Sequence, residues 1–260
     1  MAGNKNKVSW WELMKKVFRP TSRFMAGPKI KTIAAAGDDY LICFHDLAAP
    51  LYYPREFDLQ QLYQVVTEEF YPSEWHYYEV AETAITADDI VVDCGAAEGL
   101  FSLLAAPRCC QVYAIEPLPR FVASLRQTFK NFTNVEILPV GLSDQAGEAF
   151  IGGNGITAAI NQDGTGQKIK LTTIDNLFFA NNLPLSYLKA DLEGSELAML
   201  KGAEQTIKRY RPKIAITTYH RGQDAREIQS YLQAIVPEYK FRLKGIEERV
   251  GAPVMLHAYL

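Results

Sequence analysis

This sequence predicts an α/β protein built on a mostly parallel sheet with helices on both faces. Three observations carry that prediction. Downstream of about residue 85, short β-branched runs alternate with amphipathic segments of steady length, the pattern of strand–helix–strand units in a parallel sheet. One of these stretches, VVDCGAAEGLFSLLA (91–105), passes from a strand through a glycine-punctuated turn into a helix. The last two runs, YKFRLKG and PVMLHAYL, read as an antiparallel pair that closes the sheet.

IVVDC (90–94) is a short β-branched run and hence a buried strand, and GLFSLLA opens the helix after it. QVYAIE (111–116) is the second strand. Pro117 and Pro119 then open a helix whose Phe121, Leu125, Phe129 and Phe132 recur at helical spacing. VEILPV (135–140) is the third strand. The Gly- and Asn-rich segment between residues 147 and 172 is expected to form a hairpin or flap over the sheet's carboxyl edge. SYLKAD (186–191) is the fourth strand. A single helix comes next, with Leu197, Leu200, Ala203, Ile207 and Tyr210 along one face. Its last turn carries Lys208, Arg209 and Arg211, which suits the negative end of the helix dipole, and Pro212 stops it. KIAITTYH (213–220) is the fifth strand and REIQSYLQAI (226–235) a helix. The whole chain upstream of about residue 85 reads as short helical or irregular pieces rich in aromatics, as in FDLQQLYQVVTEEFYPSEWHYYEV. The expected division is a cap or lid segment with a basic amphipathic helix over 1–77, and a ligand-binding domain over 78–260.

The totals narrow the class of function. A hydrophobic fraction of 48% and a charged fraction of 22% describe an ordinary globular protein, and 260 residues suffice for a sizeable core. A net charge of -3 gives the chain as a whole no electrostatic reason to bind nucleic acid. Cys43, Cys94, Cys109 and Cys110 lack zinc-like C-x-x-C spacing and read as reduced thiols of a cytoplasmic protein. No run of apolar residues is long enough to span a bilayer.

The glycine turn indicates what binds. In an open α/β sheet, ligands sit outside the carboxyl ends of the strands, where strand order reverses. Asp93, Glu116 and Asp191 all fall at strand ends and should converge there. A dinucleotide fingerprint would read G-x-G-x-x-G. Here the turn is D-x-G-x-x-x-G, with Asp93, Gly95, Ala96, Glu98 and Gly99, and its acids lie where a pyrophosphate would need positive potential. That disfavours a nicotinamide cofactor and favours a ligand with a cationic amino-acid end. Glu116, followed by Pro117, is placed to accept two hydrogen bonds from a ribose diol. A ribose, a base-like ring and an amino-acid tail together describe S-adenosylmethionine.

VVDCGAAEG, AIEP, LSDQAGEAF, LKADLEGSELAMLKGA and PKIAITTYH occur in this order, and over about residues 78 to 260 the chain resembles the FkbM family of S-adenosylmethionine-dependent methyltransferases. The resemblance implies a Rossmann-like class I methyltransferase fold, a seven-stranded, mostly parallel sheet with the last strand antiparallel. It further implies methylation of hydroxyl oxygens on sugars or other small natural products. Ser143 and Asp144, after the third strand, stand where the family holds the adenine ring, with Leu142 as an apolar wall. Glu79 is read as reaching the cofactor from the lid side.

The sulfonium is already a strong methyl donor, so the protein has to orient a hydroxyl, worth about 7–11 kcal/mol, and to remove its proton. His220, closing the fifth strand, is the expected base because histidine titrates near neutral pH. Asp191 and Glu193, on the exit from strand four, join it as candidate catalytic residues, and Asp191 also as a cofactor contact. Glu196 is read as favouring the helix dipole. Asp191, Glu193 and His220 leave a divalent ion open as the alternative to a metal-free site. A scaffold that keeps the fold without turnover is the rival outside enzymes, and the intact Asp191–Glu193–His220 set argues against it. The acidic body and the lack of an N-P-P-Y-like motif argue against nucleic acid, leaving a small-molecule or glycan acceptor.

Residues 1 to 31 hold eight cations, Lys5, Lys7, Lys15, Lys16, Arg19, Arg23, Lys29 and Lys31, against Glu12 alone. Within them KVSWWELMKKVFRP has a wide apolar face. Peripheral contact with an anionic membrane is one reading; a helix packed on its own domain or across a homodimer is the other. Arg55, Trp75, His76, Tyr77 and Tyr78 read either as the lining of a lid or as core.

Overall fold

The computed structural model describes residues 8–153, 155–161, 164–220, 224–247 and 251–260. Lys5 and Lys7 lie outside the described residues. The chain begins with two short helices, α1 (Trp10–Val17) and α2 (Ser22–Ala26), followed by three strands, β1 (Ile30–Ala36), β2 (Asp39–Phe44) and β3 (Leu51–Pro54), and a helix, α3 (Leu59–Phe70). The strands form an antiparallel sheet in chain order. Here the expectation of helical or irregular pieces fails. The run IKTIAAA ends in three alanines, which have low strand preference, and pairing with β2 along its length makes it a strand. Ile42, Phe44, Leu51 and Tyr53 are buried in one cluster with Leu62 and Val66 of α3 and with Leu100 and Leu125 further along the chain. The N-terminal segment therefore shares a core with the helices that flank the glycine turn.

The strands and helices after residue 85 match the alternation in the sequence. They are β4 (Ile90–Cys94), α4 (Leu100–Ala105), β5 (Gln111–Ile115), α5 (Pro119–Thr128) and β6 (Val135–Leu138). β7 (Gly141–Leu142), β8 (Gly147–Gly152), β9 (Ala159–Asn161) and β10 (Gln167–Thr172) come next, then β11 (Tyr187–Ala190), α6 (Glu196–Lys201) and α7 (Glu204–Tyr210). β12 (Lys213–Thr217), α8 (Asp224–Ile235), β13 (Lys240–Lys244) and β14 (Met255–Tyr259) complete the set.

Seven strands form one sheet in the order β13-β14-β12-β11-β4-β5-β6. β4 pairs in parallel with both β5 and β11, so the chain proceeds outward in opposite directions on its two sides. The crevice at that reversal lies at the carboxyl ends of β4 and β11. β14 runs antiparallel between β12 and β13. Side chains alternate across the sheet. Val92 and Cys94 of β4 join Leu188, Ile214, Met199, Ile207 and Leu232 in the core beneath α6, α7 and α8. Val91 points the other way, toward Phe101, Tyr187 and Trp75. β8, β9 and β10, from the segment over 147–172, form a separate sheet with β7, ordered β7-β10-β8-β9.

One predicted helix is two. It breaks at Gly202–Ala203, because Asp175 N–H bonds the Gly202 carbonyl and the Asp175 carboxylate accepts from Gln205 and Thr206 N–H to start α7. A Cβ on Gly202 would lie 2.2 Å from the Ser143 carbonyl oxygen, so this junction packs backbone against backbone. All four cysteines are free thiols.

Candidate active site

The glycine turn is built by its backbone. Gly95 and Ala96 N–H both bond the Ile115 carbonyl at 3.0 Å, tying the end of β4 to the end of β5. Gly95 has φ +78°, and a Cβ there would meet the Asp191 carbonyl oxygen at 2.1 Å, so only glycine lets the turn lie against β11. A cleft of about 260 Å³ opens over this turn. Its floor comes from Gly95, Ala96, Ala97, Glu98, Glu116, Pro117 and Leu142. One end is closed by Lys189, Asp191 and Glu193, and the roof by α3 and by Ile151 and residues 155–158 of the small sheet.

Glu116 is fixed from both sides. Its Oε2 accepts from Ala97 N–H at 2.9 Å and its Oε1 from Leu118 N–H at 2.8 Å. Burial raises its pKa to about 7, against those two hydrogen bonds. Each oxygen keeps one lone pair for a ligand. Burial likewise raises Glu98 above the usual carboxylate range, and raises Glu69 of α3 further because the Glu98 charge is beside it. These carboxyls hold their protons more tightly than exposed ones, and a cation seated among them would favour their ionised form.

Asp93 is not in the cleft, contrary to the expectation that it meets the ligand. It is fully buried beneath the turn, 2.9 Å from Lys189 Nζ, and accepts from Ser102 Oγ at 2.7 Å. Lys189 also donates to the Gly95 carbonyl at 2.7 Å. The acid at the end of β4 therefore holds the turn in place, and Glu98 and Glu69 are the acids that face the cleft instead. Glu79 is also displaced from its expected role. It pairs with Arg108 at 2.7 Å and accepts from Ile85 N–H, away from the cleft. Gly99 begins α4 behind the turn. Ser143 and Asp144 hydrogen-bond each other outside the cleft, while Leu142 lines it.

Asp191, Glu193, Glu196 and His220 form one cluster. Asp191 Oδ2 accepts from Tyr78 O–H at 2.8 Å and Oδ1 from Thr217 O–H at 3.2 Å. Burial works against its charge, but His220, Lys189 and His76 outweigh that and keep its pKa low. His220 Nδ1 is 2.8 Å from Glu196 Oε1. Its Nε2 lies 3.5 Å from Glu193 and 3.7 Å from Asp191. Glu196, read as a dipole partner, is instead 1% exposed and anchors the histidine. Burial disfavours the imidazolium, but Glu193, Glu196 and Asp191 raise the pKa of His220 to about 11. The expectation of a free base near neutral pH fails for that reason: three carboxylates hold it as a cation. It stands behind Asp191 and Glu193, which line the cleft where it does not.

His76, Tyr78, Tyr219, Glu68, Glu69, Gln61 and Gln64 also line the cleft. Of the aromatic stretch, His76 and Tyr78 belong to this lining, whereas Trp75 is core and Arg55 lies over Tyr40. The α3 residues escaped sequence reasoning because Gln61, Gln64 and Glu68 recur at helical spacing, as on any solvated face.

The sheet order and the placement of the cleft define a class I methyltransferase fold. The family model for the methyltransferase FkbM domain matches residues 93–243, and the chain belongs to that family. The crystal structure of methyltransferase FkbM from Methylobacillus flagellatus KT aligns at TM-score 0.55 with 21% identity, covering 96% of this chain and 60% of that one. The chain thus spans 60% of the length of that relative. M. jannaschii TYW2, solved in complex with AdoMet, aligns at TM-score 0.47 with 11% identity over 88% of each chain. SMU.1697c of Streptococcus mutans, solved in complex with SAH, aligns at 0.44 with 11% identity over 68% of this chain and 91% of that one. No curated protein matches the sequence.

Proposed function

We propose that this protein transfers a methyl group from S-adenosylmethionine to a hydroxyl oxygen of a sugar or another small natural product. The observation that carries the reading is the continuous cleft from Glu116, over the turn at Gly95–Glu98, to Asp191 and Glu193. The residues present fit the cofactor. Glu69 Oε2 is buried without a hydrogen-bond partner, and with Glu98 it suits a cationic amino-acid end. Glu116 suits the ribose diol, and Pro117, Leu118 and Leu142 an apolar ring. The bound sulfonium would supply an already activated methyl group.

The chain's own residues do the rest. Asp191 accepts the hydrogen bond of the acceptor hydroxyl and Glu193 takes its proton. Tyr78 and His220 hold those carboxylates in place, and the roof from α3 and the small sheet excludes water. The test is titration calorimetry with S-adenosylmethionine on the wild type and Glu116→Ala, followed by labelled-methyl transfer to a panel of sugar acceptors. Absence of binding by the wild type would overturn the reading.

A second reading adds a divalent cation, favoured by one observation. His220 Nε2 is buried without a hydrogen-bond partner and faces Asp191 and Glu193 while Nδ1 is fixed by Glu196. Among the described residues, Asp191, Glu196 and His220 make up the one group of this kind with ligand atoms close enough for an ion. Such an ion would polarise the acceptor hydroxyl. Turnover that survives a chelator rules this reading out and leaves the first intact.

A further inference from the structure

The N-terminal helix is docked with its polar side inward. A capping box between Ser9 and Glu12 starts α1. On the inner side Leu13 packs with Val8 against the cluster that contains Trp75 and Tyr78. Lys16 and Arg19 both bond Glu74, at 3.0 and 2.5 Å, and Glu74 is only 6% exposed. Lys16 Nζ also lies 5.2 Å over the Trp75 ring. The apolar side consequently faces out. Trp10 and Trp11 are each 80% exposed, Val17 and Phe18 each 74%, and Phe24 of α2 adds 72%.

That orientation reverses the usual one. An amphipathic helix packed on its own domain buries its apolar stripe, gaining about 25 cal/mol per Å² removed from water. Here two cations on one buried carboxylate fix the opposite face to the protein. The same segment leaves Lys15, Arg23 and Lys31 exposed, and its single acid, Glu12, is engaged by Ser9. Aromatic side chains beside exposed cations match the boundary between anionic headgroups and acyl chains, where tryptophan rings and basic residues are favoured together. Among the described residues no helix is long and apolar enough to cross a membrane, so the contact would be a surface one.

We infer that α1 and α2 form a docking face for an anionic lipid surface, with Trp10, Trp11, Val17, Phe18 and Phe24 entering the lipid. The bonds of Lys16 and Arg19 to Glu74 are the device that aims the face outward. The inference is independent of the methyl-transfer reading.

The experiment is flotation of the full chain with vesicles of phosphatidylcholine alone and of phosphatidylcholine mixed with phosphatidylglycerol, with tryptophan emission followed in parallel. The wild type is expected to float with the anionic vesicles, with a blue-shifted emission. Trp10→Ser/Trp11→Ser should lower partitioning roughly tenfold or more, without change in melting temperature because both rings are exposed. Lys15→Glu/Arg23→Glu should lower it on anionic vesicles and raise no binding to neutral ones. No flotation with either vesicle, or equal flotation with both, overturns the inference. So does a dimer by light scattering that Trp10→Ser/Trp11→Ser dissolves, since a second copy would then occupy the face.

Discussion

Lys189 and Asp93 stand opposite each other in register on adjacent parallel strands, buried, with Nζ and Oδ1 2.9 Å apart. The lysine's remaining reach goes to the Gly95 carbonyl. This pair sets the height of the glycine turn above the sheet, and so the floor of the cleft. Lys189→Met leaves a carboxylate buried without its partner, which costs about 3–5 kcal/mol. The expected result is a large fall in melting temperature and loss of S-adenosylmethionine binding together. Asp93→Asn in the same background should recover part of the stability, because it removes the stranded charge.

Glu116 should separate binding from folding by pH. Its pKa is raised to about 7 by burial, so its negative charge is present above that value and lost as pH falls through it. S-adenosylmethionine affinity, measured by calorimetry, should therefore weaken below pH about 7, by up to roughly tenfold per unit. Glu116→Gln should bind weakly at all pH values, and its residual pH dependence should be smaller than that of the wild type.

The strand pattern of this fold is legible in the sequence, and the reason is physical. IVVDC, QVYAIE and KIAITTYH are continuous β-branched runs because both faces of a parallel sheet are covered. The Gly95 turn reads clearly because only glycine tolerates the approach of the Asp191 carbonyl. The three-stranded N-terminal sheet does not read, since its alanine-ended first strand is made by pairing with β2 along its length rather than by its own preference. The site is half legible. Glu116 and Asp191 lie on the cleft as strand-end acids should, but identical logic puts Asp93 there. A buried lysine one strand away, invisible as a neighbour in the linear chain, claims that carboxylate. Glu68 and Glu69 look like solvent-facing helix acids until the helix is laid over the turn.

His257 offers a stability test remote from the cleft. It is fully buried on β14, with Nδ1 3.0 Å from the Thr83 hydroxyl, and burial together with Lys244 and Arg242 depresses its pKa to about 3. The unfolded chain takes up this proton near pH 6.5 while the folded one refuses it. Its contribution is thus complete above about 6.5 and drains away as pH falls toward about 3, with a slope of at most about 1.4 kcal/mol per unit. Denaturant melts between those limits should show a shallower pH slope in His257→Gln than in the wild type.

Glu193 carries a left-handed backbone, φ +50°, just before Gly194. A non-glycine residue held there is a position the surrounding structure over-determines. Glu193→Gln keeps the shape and removes the proton acceptor. The turnover number should fall by about 10²–10⁴-fold while cofactor affinity stays within a few-fold. An equal loss in both would assign Glu193 to binding instead.

The position of β14 bears on how the molecule is made. It lies between β12 and β13, both of which leave the ribosome before it. Until it arrives, those two strands have no partner on the facing edges, and the nascent domain presents open backbone donors and acceptors beside an apolar layer. The central β4–β5–β11 part can assemble early, but the sheet locks only when residues 255–259 slot in. Chaperone dependence and aggregation during synthesis should accordingly be decided by this late insertion, and weakening β14 should harm yield in the cell more than its effect on the finished protein suggests.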